Sequence, residues 1–383
     1  MNMSFKSSIP TKLIFGIGAL NRLSRYEFPG SRALIVTGRG RSIRESGWLD
    51  RICEGLKKAG VSCCVFSGAE QNPTAENVAD GAKMAKYEKC DFVIGLGGGS
   101  AMDCAKAIAV MTGNMGDFWD YMYGATGGKK IPEGPFLPIV AIPTTAGTGS
   151  EMNNCAVISK NATREKLGFV NDGIYPKIAI VDPAITTTVP SNFTAYQGFD
   201  ALMHACESIV NKKEHIYGHM HAVKAVELIA KYLPGAVEDG GNIEAREGLA
   251  LAASLAGMYM MCTAEHAIEH AMSAFHPDLP HGAGLVLISD AYWSAVSDSH
   301  TCDEALRDMA RIMGRLDGDF VAAIGDLKKQ CGINTLKMSD FGITKQEAAA
   351  IAENARTTMG VLFINDPMRP NVEDVQTMLE RSF

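Results

Sequence analysis

The stretch Asp91-Phe92-Val93-Ile94-Gly95-Leu96-Gly97-Gly98-Gly99-Ser100 decides the fold. The apolar run at 91–96 reads as a buried strand, and residues 100–111 continue as a helix behind it. Glycines between the two let a backbone approach a phosphate closely, and the helix start offers free N–H groups and the positive end of its dipole. Ser100 is placed to cap that helix and to donate a hydroxyl to the phosphate. A glycine turn by itself is weak evidence, because tight turns use glycine without any ligand. This one follows the third strand of the pattern rather than the first, which points to a dinucleotide mode other than the usual fingerprint.

Upstream, residues 32–37 and 61–67 read as strands and 48–59 and 74–86 as helices. Downstream, 138–143 is a fourth strand, 156–170 a hairpin turning at Lys160-Asn161-Ala162-Thr163, and 178–181 a last strand closed by Asp182-Pro183. Alternation of this kind predicts a parallel sheet with helices on both faces. A second loop, Pro143-Thr144-Thr145-Ala146-Gly147-Thr148-Gly149-Ser150, also follows a strand, and its hydroxyls suit a ribose, a carboxamide or a phosphate. Two such loops at strand ends of one sheet reinforce each other, because ligands gather at that edge. From about residue 194 the pattern becomes helical, at 197–209, 220–233, 245–261, 264–273 and beyond. The expected organisation is an α/β dinucleotide-binding domain at 1–185 and an all-helical domain at 186–383, with a cleft between them.

Composition bounds the function. The chain has 383 residues, 46% hydrophobic and 21% charged, the profile of a folded protein of about two domains. A net charge of −7 with no basic cluster argues against nucleic acid or an anionic membrane as partner, and for a small ligand. The start lacks the long apolar core of a signal peptide, and the richest apolar run, 249–261, is too short for a bilayer span and reads as a buried helix. Ten cysteines, including the adjacent Cys63 and Cys64, show no CxxC pattern and read as reduced thiols of a cytoplasmic protein.

All nine histidines lie between residues 204 and 300. Asp200 and His204 are spaced i, i+4, so both point from one helical face, and His266 and His270 repeat the spacing. His281, between Pro280 and Gly282, is expected at a turn that aims it inward. A carboxylate and three imidazoles suit a divalent first-row cation, and four of these five residues suffice. His215, His219, His221 and His300 are expected to be satisfied locally or by solvent, with His276 open between the site's periphery and the substrate cleft.

These residues carry a resemblance. Gly97-Gly98-Gly99-Ser100 with Asp103 and Lys106, the loop from Pro143 to Glu151, Gly198-Phe199-Asp200-Ala201-Leu202-Met203-His204-Ala205, His266 with His270, and Pro280-His281-Gly282 occur in the order seen in the iron-containing, or group III, alcohol dehydrogenases. The resemblance covers nearly the whole chain. It implies a Rossmann-like dinucleotide-binding domain followed by a helical metal-binding domain, the architecture shared with dehydroquinate synthase. It also implies Asp200, His204, His266 and His281 as metal ligands, with Fe2+ as the metal and Zn2+ compatible with the same donors. His270 then stands beside the nicotinamide as proton relay, and Asn72, Gly97, Gly98, Gly99, Ser100, Asp103, Thr144, Thr145, Thr148 and Lys166 fall at the cofactor. A homo-oligomer, a dimer or larger, is common in the family.

Departures from the family pattern matter too. Where NAD-preferring members have Thr-Asp after the first strand, this chain has Thr37-Gly38 followed by Arg39, Arg41 and Ser42, which admits NADP without excluding NAD. Asn153 and Cys155 replace more usual residues, and the segment from His270 to His281 is one residue longer than in many relatives. The implied reaction is hydride transfer between NAD(P)H and a small aldehyde or alcohol. An NAD-using lyase or cyclase on the same fold would require basic residues near the metal, and 264–285 contains no Lys or Arg. A non-catalytic metal-binding protein would leave the two strand-end loops unexplained.

Overall fold

The computed structural model describes residues 2–383. Eight strands, β1 (Lys12–Phe15), β2 (Arg32–Gly38), β3 (Ser62–Ala69), β4 (Phe92–Gly97), β5 (Ile139–Pro143), β6 (Cys155–Lys160), β7 (Glu165–Val170) and β8 (Ile178–Val181), fall in the first half with four helices. These helices are α1 (Ser42–Glu45), α2 (Trp48–Lys58), α3 (Ala75–Tyr87) and α4 (Gly99–Gly113). The second half is helical: α5 (Ser191–Val210), α6 (Ile216–Glu238), α7 (Ile243–Met258), α8 (Ala264–Phe275), α9 (His281–Asp298), α10 (Asp303–Ile312), α11 (Phe320–Gln330), α12 (Ala348–Thr358), α13 (Gly360–Asn365) and α14 (Val372–Arg381).

Six strands form one parallel sheet in the order β1-β8-β5-β4-β2-β3, and β6 and β7 form the expected antiparallel hairpin. Burial on both faces explains the near-continuous apolar strands. On β2, Ala33 and Ile35 join Leu49, Ile52 and Leu56 of α2 in one core, while Leu34 and Val36 join Val78 and Ala82 of α3 and Ile108 of α4 in the other. Counted from β2, the five strands β2, β3, β4, β5 and β8 take the order 2-1-3-4-5, in which the direction of winding reverses between β2 and β4. Ligands of such sheets bind beyond the carboxyl ends at that reversal. Here it is flanked by Gly38 on one side and Gly97 on the other.

Three expectations need correction. The glycine-rich turn follows the fourth strand, because the short edge strand β1 precedes those read from the sequence. Ser100 does not cap α4: the helix starts at Gly99 with Gly98 as its cap residue, and no side chain caps it. A Cβ on Gly99 would come within 2.6 Å of the Thr148 side chain, so the absence of one is what lets the two strand-end loops interlock. His281 is the first residue of α9, with Pro280 as the cap residue, rather than part of a free turn. Among the described residues, no helix is long and apolar enough to cross a membrane.

Candidate metal centre

Three helices converge at the site. From α5, Asp200 and His204 project one turn apart, both almost fully buried; α8 supplies His266, and α9 begins at His281, the most accessible of the four at 23% side-chain exposure. Close backbone packing brings α9 in: a Cβ on Gly282 would stand 2.1 Å from the Tyr196 carbonyl oxygen of α5. This accounts for glycine directly after the histidine. The loop after β5 reaches the same place, since a Cβ on Gly147 would lie 3.1 Å from Asp200 Oδ2.

Asp200 Oδ1 is the centre of the group. It lies 3.5 Å from His204 Nδ1, 3.5 Å from His266 Nε2 and 3.4 Å from His281 Nε2, and the four donor atoms all fall within 4.8 Å of one another. Asp200 Oδ1, His204 Nδ1 and His266 Nε2 are buried without a hydrogen-bond partner. Buried polar atoms are almost always partnered, so three orphans aimed at one point form a cavity of lone pairs that a divalent cation fits. The donor set of one carboxylate and three imidazoles suits a borderline first-row ion.

Behind the donors stand carboxylates that the sequence did not single out. The His266 Nδ1–H donates to Glu207 Oε1 and the His281 Nδ1–H to Glu269 Oε2. Glu207 is fixed in turn by the Thr263 backbone N–H and by its hydroxyl, at 2.7 Å. Each bond fixes a tautomer, turns Nε2 toward Asp200 and makes the imidazole more basic. Burial alone would raise the Asp200 carboxyl, but the surrounding histidines hold it well below the usual carboxylate range. Burial would lower His266 and His281, yet Cys262, Glu207 and Asp200 raise the first, and Glu269 and Asp200 the second, above the ordinary imidazole value. Burial dominates at His204, which falls to about 4.

His270 lies one turn beyond His266 on α8, its ring centroid 5.5 Å from that of His281, its Nδ1 buried and unpaired. Burial, reinforced by Lys166 and the neighbouring histidines, pushes it well below the ordinary imidazole value. Four of the remaining histidines are satisfied as expected. His215 accepts from the Gly218 N–H at the start of α6, His219 bonds Glu214, His221 the Tyr217 carbonyl and His300 Asp303. His276 sits 3.2 Å from Glu347.

The residues expected at the cofactor are engaged with other groups of the protein. The Ser100 hydroxyl donates to the Gln71 carbonyl, and Asn72 Nδ2 to the Pro277 carbonyl at 2.9 Å, across to the helical half. Lys166 on β7 is buried, 3.3 Å from Glu269 Oε2 and 2.9 Å from Ser273 Oγ. A basic residue therefore does stand behind His281, supplied from a distant part of the sequence. Thr144, Thr145 and Thr148 are half-buried along the second loop. Asp103 is a different matter: its carboxylate oxygens accept from the Ser150 hydroxyl at 2.6 Å and the Val157 N–H at 2.9 Å. Fully buried Lys106 completes that brace, donating to Ser150, Asn153 and the Cys155 carbonyl. Asp103 thus anchors the second loop.

Strand-end glycine loops that abut a buried carboxylate–imidazole cluster define an α/β protein built like a metal-dependent, nucleotide-using enzyme. The chain belongs to the iron-containing alcohol dehydrogenase family: the model of that name matches residues 10–183, and the model "Fe-containing alcohol dehydrogenase family, C-terminal" matches residues 194–383. It is 32% identical to 1,3-propanediol dehydrogenase of Klebsiella pneumoniae, over 99% of both chains. To NADH-dependent butanol dehydrogenase A of Clostridium acetobutylicum it is 33% identical over the full length of both. Among solved structures it resembles an archaeal halo-thermophilic alcohol dehydrogenase from a Red Sea brine pool, with a TM-score of 0.91 at 30% identity and complete coverage of both chains.

Proposed function

We propose that this protein catalyses reversible hydride transfer between a nicotinamide dinucleotide and a small aldehyde or primary alcohol, at a divalent cation held by Asp200, His204, His266 and His281. The observation that carries the reading is the convergence of unpartnered Asp200 Oδ1, His204 Nδ1 and His266 Nε2 on one point. A cation there supplies Lewis-acid polarisation of a substrate oxygen, and the nicotinamide supplies or accepts the hydride. Glu207 and Glu269 hold the imidazoles in their donor orientation, and His270, with Nδ1 buried and unpaired, is the candidate proton relay. The interlocked glycine loops seat the pyrophosphate at the start of α4. The family favours Fe2+, and the same donors suit Zn2+.

For the cofactor's far end, the reading is that NADPH is admitted. A Cβ on Gly38 would meet only the Ala69 carbonyl, at 3.8 Å, so packing does not demand glycine there; its absence leaves room. Around that space Arg44 donates to Ser67 Oγ at 2.7 Å, and Arg39 pairs with Glu70. An aldehyde panel assayed with NADH and NADPH, on protein reconstituted anaerobically with Fe2+ or Zn2+, tests the whole reading. Consumption of reduced cofactor with iron is the expected result, whereas no turnover with any aldehyde under either metal refutes it. Gly38→Asp is expected to lower the NADPH/NADH preference ratio by roughly ten- to a hundredfold, because a like charge facing the 2′-phosphate costs on the order of a few kcal/mol.

A further inference from the structure

The hydrogen bonds behind His266 do not end at Glu207. Thr263, the residue before α8, gives its hydroxyl to Glu207 Oε2 at 2.7 Å, and the same Thr263 oxygen lies 2.8 Å from the Tyr292 hydroxyl of α9. Tyr292 in turn stands 2.8 Å from Oδ2 of Asp366, the residue after α13. Glu207, Thr263, Tyr292 and Asp366 have no solvent-exposed surface, so bulk water does not reach the row. Counting hydrogens exposes a deficit. The row makes three oxygen–oxygen contacts of hydrogen-bond length, and each needs one hydrogen, because facing lone pairs repel. The two hydroxyls supply two, and an ionised carboxylate supplies none. One of the two carboxyls therefore carries the third.

We propose that Asp366 is an un-ionised carboxylic acid that directs this row at the metal centre: it donates to Tyr292, Tyr292 to Thr263 and Thr263 to Glu207, which keeps its full charge behind His266. Placing the hydrogen on Asp366 follows from what each carboxyl faces. Glu207 Oε1 accepts from His266 Nδ1–H, and on the reading of His266 as a metal ligand, on which this inference rests, charge on Glu207 completes a carboxylate–imidazole–cation line. Asp366 has no such partner. Among the described residues it is bonded only by neutral groups, the backbone N–H of Ala264 at 3.1 Å, of Met368 at 2.8 Å and of Arg369 at 3.1 Å, and the Tyr292 hydroxyl. Both carboxyls stand at the start of α8, taking the Thr263 and Ala264 N–H groups, so the dipole of that helix does not separate them. Burial pushes the Asp366 carboxyl above its ordinary value despite its bonds. Asp366 and Tyr292 are thus positioning residues, acting on His266 through Thr263 and Glu207.

Infrared difference spectra of the full-length, metal-free protein test this, because the carbonyl stretch of an un-ionised carboxyl is resolved from that of carboxylates. Asp366→Asn is expected to remove one such band, and the band removed is expected to move to lower frequency in protein whose aspartate carboxyl carbons are isotopically heavy. Tyr292→Phe, which takes away only the acceptor, is expected to shift that aspartate band without removing it, so the protonation state is read even where Asp366→Asn does not fold. The same variant is expected to bind Zn2+ about two- to tenfold more weakly in a chelator-competition titration, in line with one lost hydrogen bond, with unfolding still cooperative. An un-ionised band that Asp366→Asn leaves in place, or one that Tyr292→Phe shifts but the aspartate label does not, overturns the proposal. So does a Tyr292→Phe protein whose band or metal affinity is unmoved. The band is read without metal, so a failure of the ligand set, seen as full metal retention in His266→Ala, is distinguished from a failure of the hydrogen assignment.

Discussion

The metal side and the cofactor side of this molecule are prepared in opposite ways. On the metal side, the donor atoms are left without partners while the atoms behind them are tightly held: Glu207 grips His266 and Glu269 grips His281. On the cofactor side, the polar atoms already have partners within the protein, such as Ser100 with Gln71, Asn72 with Pro277 and Lys166 with Glu269. A cation therefore meets a site whose desolvation has already been accepted during folding. On the proposed reading, a dinucleotide would exchange existing hydrogen bonds for new ones. The first arrangement favours tight retention, the second a ligand that comes and goes with each turnover.

The sharpest way to break this contrast is to remove a donor. His266→Ala or His281→Ala is expected to lose metal, measured by elemental analysis after gel filtration, and with it roughly 10³-fold or more in kcat/KM, since Lewis-acid stabilisation is worth several kcal/mol. A variant that keeps full metal content refutes the ligand set. Removing what lies behind the donors should cost less. Glu207→Gln is expected to weaken metal affinity by about 10- to 100-fold in a chelator-competition titration, with unfolding still cooperative.

Protons sharpen the comparison further. In the metal-free protein the neighbouring carboxylates raise the proton affinities of His266 and His281 against the effect of burial, so protons compete with a cation for their nitrogens. Apparent metal affinity is therefore expected to rise with pH, about tenfold per unit for each proton displaced, and to level off above the raised values. Calorimetry in buffers of differing ionisation enthalpy reads the released protons directly; no release at any pH where affinity rises would contradict the competition. The smallest effect belongs to the cofactor side. Asn72→Ala is expected to change KM for the cofactor by only about two- to tenfold, in line with one exchanged hydrogen bond, and to leave metal content unchanged.

Much of this was legible in the sequence, for identifiable reasons. Two-faced burial made β2, β4 and β5 read as continuous apolar runs, and the i, i+4 spacing of Asp200 and His204 placed both on one helical face. β1 was missed because four residues at a sheet edge, Lys12-Leu13-Ile14-Phe15, give too short a run to separate from a loop. The carboxylates behind the histidines were missed because their partners lie on other helices: Glu207 of α5 serves His266 of α8, and Glu269 of α8 serves His281 of α9. The available signal was a Glu within an otherwise buried helical stretch, three residues after a histidine in each case, at 204/207 and 266/269. The bonds from Ser150 and Val157 to Asp103 were not legible, because an acidic residue on the first turns of a helix after a glycine loop looks alike from sequence whatever it faces.

Lys166 carries one more implication. It grows from the β6–β7 hairpin of the sheet half, yet it shares Glu269 with a histidine of the helical half. Any ligand that draws Lys166 away from Glu269 changes the charge balance around His281, and with it the hold on a cation. Linkage makes the effect mutual: whatever factor the ligand imposes on cation binding, the cation imposes on the ligand. On the proposed reading, two sites that share no ligand atom would in this way be one thermodynamic unit, coupled through the Lys166–Glu269 contact.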